Sequence, residues 1–158
     1  MKIKDFILYF AVITLHWWFD NNLTFFKIGL NFAFISLIII NLTLSPLKAL
    51  FFSFFIAIFV DLYSWTNFGL HCLLYSLISY FIFKIKKNID SNSLFSRNLV
   101  FLFYYILFLM LYSLIYYLIN KHSPFKWYIY FISPIVNLIA FEFFFNLFVK
   151  LYGDRKCL

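Results

Sequence analysis

Acidic residues are scarce in this chain. Six Asp and Glu stand against thirteen Lys and Arg, and only 12% of the 158 residues are charged. Soluble domains carry roughly 25% charge and about 45–50% apolar residues. Here 65% are apolar and the mean hydropathy is +0.93. Such a chain has too little polar surface to coat a soluble globule, which marks an integral membrane protein. Glycine is equally rare. Gly29, Gly69 and Gly153 are too few for a Gly-x-x-x-Gly packing face, and no glycine-rich phosphate loop exists. Two cysteines, Cys72 and Cys157, make no metal motif. On the topology argued below they fall on opposite sides of a bilayer about 30 Å thick. A disulfide needs Cα atoms within about 7 Å, so no internal bridge is expected. No Ser or Cys nucleophile stands with a matching His and acid, and no catalytic carboxylate pair is present. The chain reads as a non-enzyme without a cofactor.

What is there is a series of apolar runs. Phenylalanine accounts for 26 residues, a composition that fits codon bias in an AT-rich genome and carries no function. A basic start with Lys2 and Lys4 leads into Phe6–Phe19, a run ending in Trp17-Trp18-Phe19-Asp20. No small-residue cleavage site follows, so it reads as a short first transmembrane helix rather than a signal peptide. The second span is Ile28–Leu44, with Asn31 and Asn41 as polar interruptions. Ser45-Pro46 breaks the pattern, since proline disfavours helix at the preceding residue and suits a helix start. The third span is Leu47–Tyr63 and the fourth Leu70–Phe83. Asn88–Ser96 is the most polar stretch and reads as a loop. Asn98–Ile119 is the fifth span and Trp127–Val149 the sixth, the latter holding Pro134, Asn137, Glu142 and Asn146. One all-α domain, residues 1–158, accounts for the chain.

Six spans with both termini in the cytoplasm give a charge pattern. The inner segments hold Lys2, Lys4, Lys48, Lys84, Lys86, Lys87, Arg97, Lys150, Arg155 and Lys156; the outer ones hold Lys27, Lys121 and Lys126. Ten against three is a positive-inside bias. Trp17, Trp18, Trp65 and Trp127 fall at expected outer ends of spans, where aromatic belts sit. A net charge of +7 lodged between apolar runs points to anionic lipid headgroups of the bilayer, and not to nucleic acid, as the partner. Ser45-Pro46-Leu47 and Ser133-Pro134-Ile135 echo each other, a weak repeat that chance explains in so apolar a chain.

Ionisable groups within apolar runs are the functional candidates. Asp61 closes the third run, and Gly69-Leu70-His71 opens the fourth after a short polar turn. Two arrangements suit Asp61: a pair with His71, or a cap on the donors at the start of the fourth span around Gly69. Either would lock the hairpin of spans three and four. His16, His71 and His122, with Asp20 and Asp61, fall near the expected outer face. No two histidines lie four residues apart on one helix, so no ligand spacing supports a metal. Glu142 is the other intramembrane acid, with Asn146 one turn on along the same face. Its role is unassigned; it reads as a neutral carboxyl bonded to neighbours or as a charge reaching toward the inner interface.

The segment Asp61-Leu62 followed by Gly69-Leu70-His71 resembles the signature of the rod shape-determining MreD family, in which an apolar helix ends in Asp-Leu and Gly-Leu-His opens the next. Chain length, six spans, short loops and the basic cytoplasmic bias are similar too. The turn Tyr63–Phe68 is bulkier than the family's usual Ser/Gly/Pro-rich loop. The resemblance implies a multi-pass protein of the bacterial cytoplasmic (inner) membrane, a non-enzymatic subunit of the elongation complex that scaffolds cell-wall synthesis and cell shape. The implied partners are an MreC-like bitopic membrane protein, an MreB-like filament, a RodA-like glycosyltransferase and a penicillin-binding transpeptidase. It also implies a bundle like the substrate-binding subunits of energy-coupling-factor transporters. From that follows the rival expectation, a membrane subunit binding a vitamin or a metal for transport.

Overall fold

Short helix-breaking signals divide the described apolar sequence from Phe32 onward into five helices. The computed structural model describes residues 14, 24–25, 28–64, 68–86 and 93–152. Its elements are a two-stranded ladder, β1 (Thr24–Phe25) and β2 (Ile28–Gly29), then α1 (Phe32–Thr43), α2 (Pro46–Ser64), α3 (Leu70–Ile85), α4 (Leu94–Asn120) and α5 (Ile129–Tyr152). The expected first span, Phe6–Phe19, lies outside the described residues apart from Thr14. So do His16, Trp17, Trp18, Asp20, Trp65 and Cys157.

Among the described residues three helices are long and apolar enough to cross a membrane: Pro46–Tyr63, Leu94–Asn120 and Ile129–Lys150. At 1.5 Å per residue, the 27 residues of α4 reach about 40 Å, more than a hydrocarbon core of about 30 Å. Of the other two described helices, α1 is shorter than the expected second span, whereas α3 runs two residues past the expected fourth. α1 has 12 residues and α3 has 16. The second span was expected to run as helix from Ile28. Instead, Thr24 pairs with Gly29 and Phe25 with Ile28 in antiparallel register. Helix begins only after Asn31, whose side-chain oxygen accepts from Phe34 N–H at 3.1 Å and caps the first turn.

α1 is the centre of the bundle. Every residue from Phe32 to Leu42 is buried. A helix apolar on all sides belongs inside a protein rather than at its surface, and about 18 Å of helix suffices for that. α1 packs on α2, α3 and α5, while α2 with α3 and α4 with α5 form antiparallel neighbours. The Phe34 ring sits among Tyr105 and Phe108, at 5.1 and 5.0 Å between centroids, and Tyr75 and Phe101, at 6.0 and 6.1 Å. Phe101 stacks on Phe141 at 4.5 Å and joins α4 to α5.

In lipid, apolar burial gives little net drive between helices, and close packing with a few hydrogen bonds decides register. Two polar clusters supply those bonds. Asn41 Nδ2 donates to Leu37 O, Ser53 Oγ and Ser79 Oγ at 2.8, 3.0 and 2.9 Å, joining α1, α2 and α3. Asn137 Oδ1 accepts from Asn31 N–H at 2.7 Å, and its Nδ2 donates to Tyr105 Oη at 3.0 Å. Ser133 Oγ completes this second cluster, 2.8 Å from Tyr105 Oη. Ser133 and Asn137 flank Pro134, which lies inside α5. Pro46 instead opens α2, so the two Ser-Pro echoes play different parts.

Candidate functional site

Asp61 lies near the end of α2, fully buried on its side chain. Across the turn, Gly69 takes φ +94° and hands the chain into α3. That left-handed value suits glycine and strains other residues. It turns the first donors of α3 back onto α2. Asp61 Oδ2 accepts from Gly69 N–H and Cys72 N–H, each at 3.0 Å. Oδ1 accepts from His71 N–H at 3.0 Å and lies 2.8 Å from His71 Nδ1. One carboxylate thus holds three backbone donors that the start of α3 leaves without a helical partner, together with the imidazole. Both sequence alternatives for Asp61, the pair with His71 and the cap around Gly69, occur together.

The five motif residues do not all converge. Asp61, Gly69 and His71 meet. Leu70 is buried in the core, whereas Leu62 is 54% exposed and points away. His71 packs its ring near Tyr112, Tyr75 and Phe108, with centroids at 5.2, 5.8 and 6.2 Å, so the clasp also reaches α4. His122 sits apart in the turn after α4. It is exposed, with Nδ1 2.9 Å from Asn120 O and Nε2 3.5 Å from Tyr116 Oη. Among the described residues no group of three or more His, Cys, Asp or Glu side chains converges as a metal site.

The opposite end of the bundle carries a second charged feature. Arg97 was expected in the loop before the fifth span. Ser93 instead starts the helix early, its hydroxyl accepting from Ser96 N–H at 3.5 Å, and Arg97 lies in α4 with 7% exposure. Its guanidinium donates to Glu142 through Nε at 3.0 Å and Nη2 at 2.7 Å. Nη2 also lies 3.4 Å from Asn146 Oδ1, and the group sits 4.5 Å above the Phe145 ring. Glu142 is therefore bonded to a neighbour, as one of its two sequence readings had it, in an ion pair with Arg97 that joins α4 and α5. Nothing in the sequence pairs Arg97 with Glu142, because the polar stretch Asn88–Ser96 reads as a loop and leaves Arg97 outside the helix. The Ser93 cap, four residues before Arg97, was the available signal.

At the same end, Lys86 Nζ donates to Asn41 O at 2.9 Å and Leu44 O at 2.6 Å, closing the carboxyl end of α1. Lys48, Lys84, Lys86, Arg97 and Lys150 share this end, while Lys121 and Lys126 lie at the Asp61 end. No protein-family model, curated protein or solved structure matches this chain.

Proposed function

We propose that this chain is a non-enzymatic subunit of the bacterial elongation complex, scaffolding cell-wall synthesis from the cytoplasmic membrane. The observation that carries the proposal is the Asp61 clasp. The residues that resemble the MreD signature, Asp61, Gly69 and His71, are those joined by hydrogen bonds across the α2–α3 turn. A carboxylate placed in an apolar helix is costly in lipid. Spending it on a fixed corner suits a protein whose task is to present a shape.

In this reading the chain crosses the membrane six times with both termini inside. The five described basic residues of the Lys86 end face the cytoplasm against two described ones at the Asp61 end, in keeping with the positive-inside rule. The α2–α3 corner then lies at the outer surface, where the transmembrane helix of an MreC-like bitopic partner emerges. The MreB-like filament, RodA-like glycosyltransferase and penicillin-binding transpeptidase belong to the same assembly.

Depletion in the native cell tests the proposal. Rod-shaped or helical cells are expected to round up. Normal shape together with a vitamin or metal uptake defect would overturn it in favour of a transport subunit.

A further inference from the structure

We propose that Arg97, Asn146 and Lys150 seat the phosphate of an anionic phospholipid where α4 and α5 reach the Lys86 end of the bundle. The inference goes beyond the scaffold reading and does not depend on it; it needs only that the chain lies in a bilayer. The Arg97 guanidinium carries five N–H donors in a fixed plane. Glu142 accepts from Nε and Nη2, and Asn146 Oδ1 lies 3.4 Å from Nη2. Nη1 has no hydrogen bond among the described residues. There the one buried side-chain nitrogen or oxygen without a partner is Asn98 Oδ1. Nη1 is therefore not buried, and it opens two N–H groups outward from a side chain only 8% exposed. Glu142 and the Phe145 ring hold the plane of that opening. Asn146 accepts through Oδ1, which leaves its Nδ2 to donate, and the residue is exposed. Lys150, also exposed, lies four residues further on the same face of α5, about 6 Å along the axis.

The rest of this face names the occupant. Phe143, Ile139 and Ile135 are all exposed. They continue from Lys150 and Asn146 toward the middle of α5 at steps of three and four residues, the spacing of one helix face. Taken from the end of the helix inward, the face is cationic, then polar, then apolar. That is the order in which a phospholipid presents phosphate, glycerol and acyl chain. Charge complementarity selects an anionic one. Glu142 is the acid at this end among the described residues, and Arg97 neutralises it, so the charge of Lys150 is left over. Basic pockets between transmembrane helices bind anionic headgroups in this way. Lys48 and Lys84 offer a contrast. Each lies five residues from a serine bonded to Asn41, Ser53 and Ser79 respectively, so both reach the same depth. Both are exposed, and Lys84 sits 5.0 Å from the Tyr80 ring centroid. Neither stands beside a fixed guanidinium, so they meet headgroups singly and without selectivity.

The test uses the full-length protein purified in detergent and titrated with phosphatidylglycerol or phosphatidylcholine of the same acyl chains. Native mass spectrometry reads the lipid retained, and melting temperature reads the fold. Phosphatidylglycerol is expected to bind at least about fivefold more tightly, the weight of one basic residue beside an anionic headgroup. Lys150→Gln is expected to lose about that factor. Lys150→Gln with Asn146→Leu is expected to bring phosphatidylglycerol down to the level of phosphatidylcholine, with melting of the lipid-free protein unchanged. Lys84→Gln is expected to leave retention as it was. Equal retention of the two lipids by the wild type overturns the inference. Equal losses with Lys84→Gln and Lys150→Gln also overturn it, because net charge and not a seat then holds the lipid. Displacement of phosphatidylglycerol by inorganic phosphate at the same concentration overturns it too, since a free anion then suffices. Should Asn146→Leu lower the melting of the lipid-free protein, Lys150→Gln alone decides. Each of these failures leaves the scaffold reading intact, because that reading is scored by cell shape.

Discussion

Among the described residues Asp61 meets four donors with its two carboxylate oxygens, and its substitution therefore has more than one consequence. Asp61→Asn keeps one acceptor oxygen and replaces the other with a donor that faces backbone N–H groups. A buried donor left without its acceptor costs about 1–3 kcal/mol, and a loss of that order is expected in detergent melting. The bond to His71 is a separate part of the effect. Polar contacts in membrane proteins average about 0.6 kcal/mol in double-mutant cycles, with a maximum near 1.7. Asp61→Asn combined with His71→Ala is expected to fall short of additivity by that amount; additive losses would show that the imidazole contributes nothing to the clasp. Gly69 tests the backbone instead. A Cβ there meets nothing within 4 Å, so Gly69→Ala brings no steric clash and only the left-handed φ is penalised. The expected cost is about 1–2 kcal/mol, read as a lower melting temperature with the Asp61 bonds retained. An unchanged melting temperature would mean that the turn relaxes away from φ +94°.

Between elements, α4 and α5 are joined by the Arg97–Glu142 pair, with the arginine the more buried partner. Removing one member of a buried pair strands the other, at about 3–5 kcal/mol, whereas replacing both by apolar groups of similar size is often neutral. Arg97→Met and Glu142→Leu are each expected to destabilise strongly, and the double variant to recover most of the loss. Equal losses in single and double variants would show the pair to be a net stabiliser in its own right. The same scale explains why α1 stays short. Its side chains are covered by its neighbours, and its ends are closed by Asn31 and Lys86. It has no need of the length that a lipid-facing helix requires.

Across the whole molecule, the distribution of charge becomes a statement about orientation. Cysteine labelling from either side of intact membranes at Asn92 and Ser123 is expected to place these positions on opposite sides. Labelling of both from one side would break the six-span arrangement. The test bears on α4 directly, because its 27 residues separate the two positions. The exposed apolar faces of the long helices, including Phe103, Met110, Leu114, Ile139 and Phe143, are what a lipid-embedded bundle requires. They are also why association with another membrane protein depends on a few polar atoms rather than on apolar area.

Composition alone determined the membrane class, because too few charged residues are present to coat a soluble surface. Local signals also placed most helices: Pro46 opens α2, Gly69 opens α3, and the Asp61–His71 relation was legible from two ionisable groups flanking one turn. Sequence periodicity did not show that the second apolar run divides into a short ladder and a central helix. An apolar run reads alike whether it faces lipid or protein, and only the surrounding helices decide which. The Arg97–Glu142 pair was hidden for a related reason. Its members are 45 positions apart, and a charged side chain has no visible partner until tertiary packing brings two helix faces together. Asn41 with Ser53 and Ser79 follows the same rule: single small polar residues in three separate runs became one hydrogen-bonded cluster only when α1, α2 and α3 met.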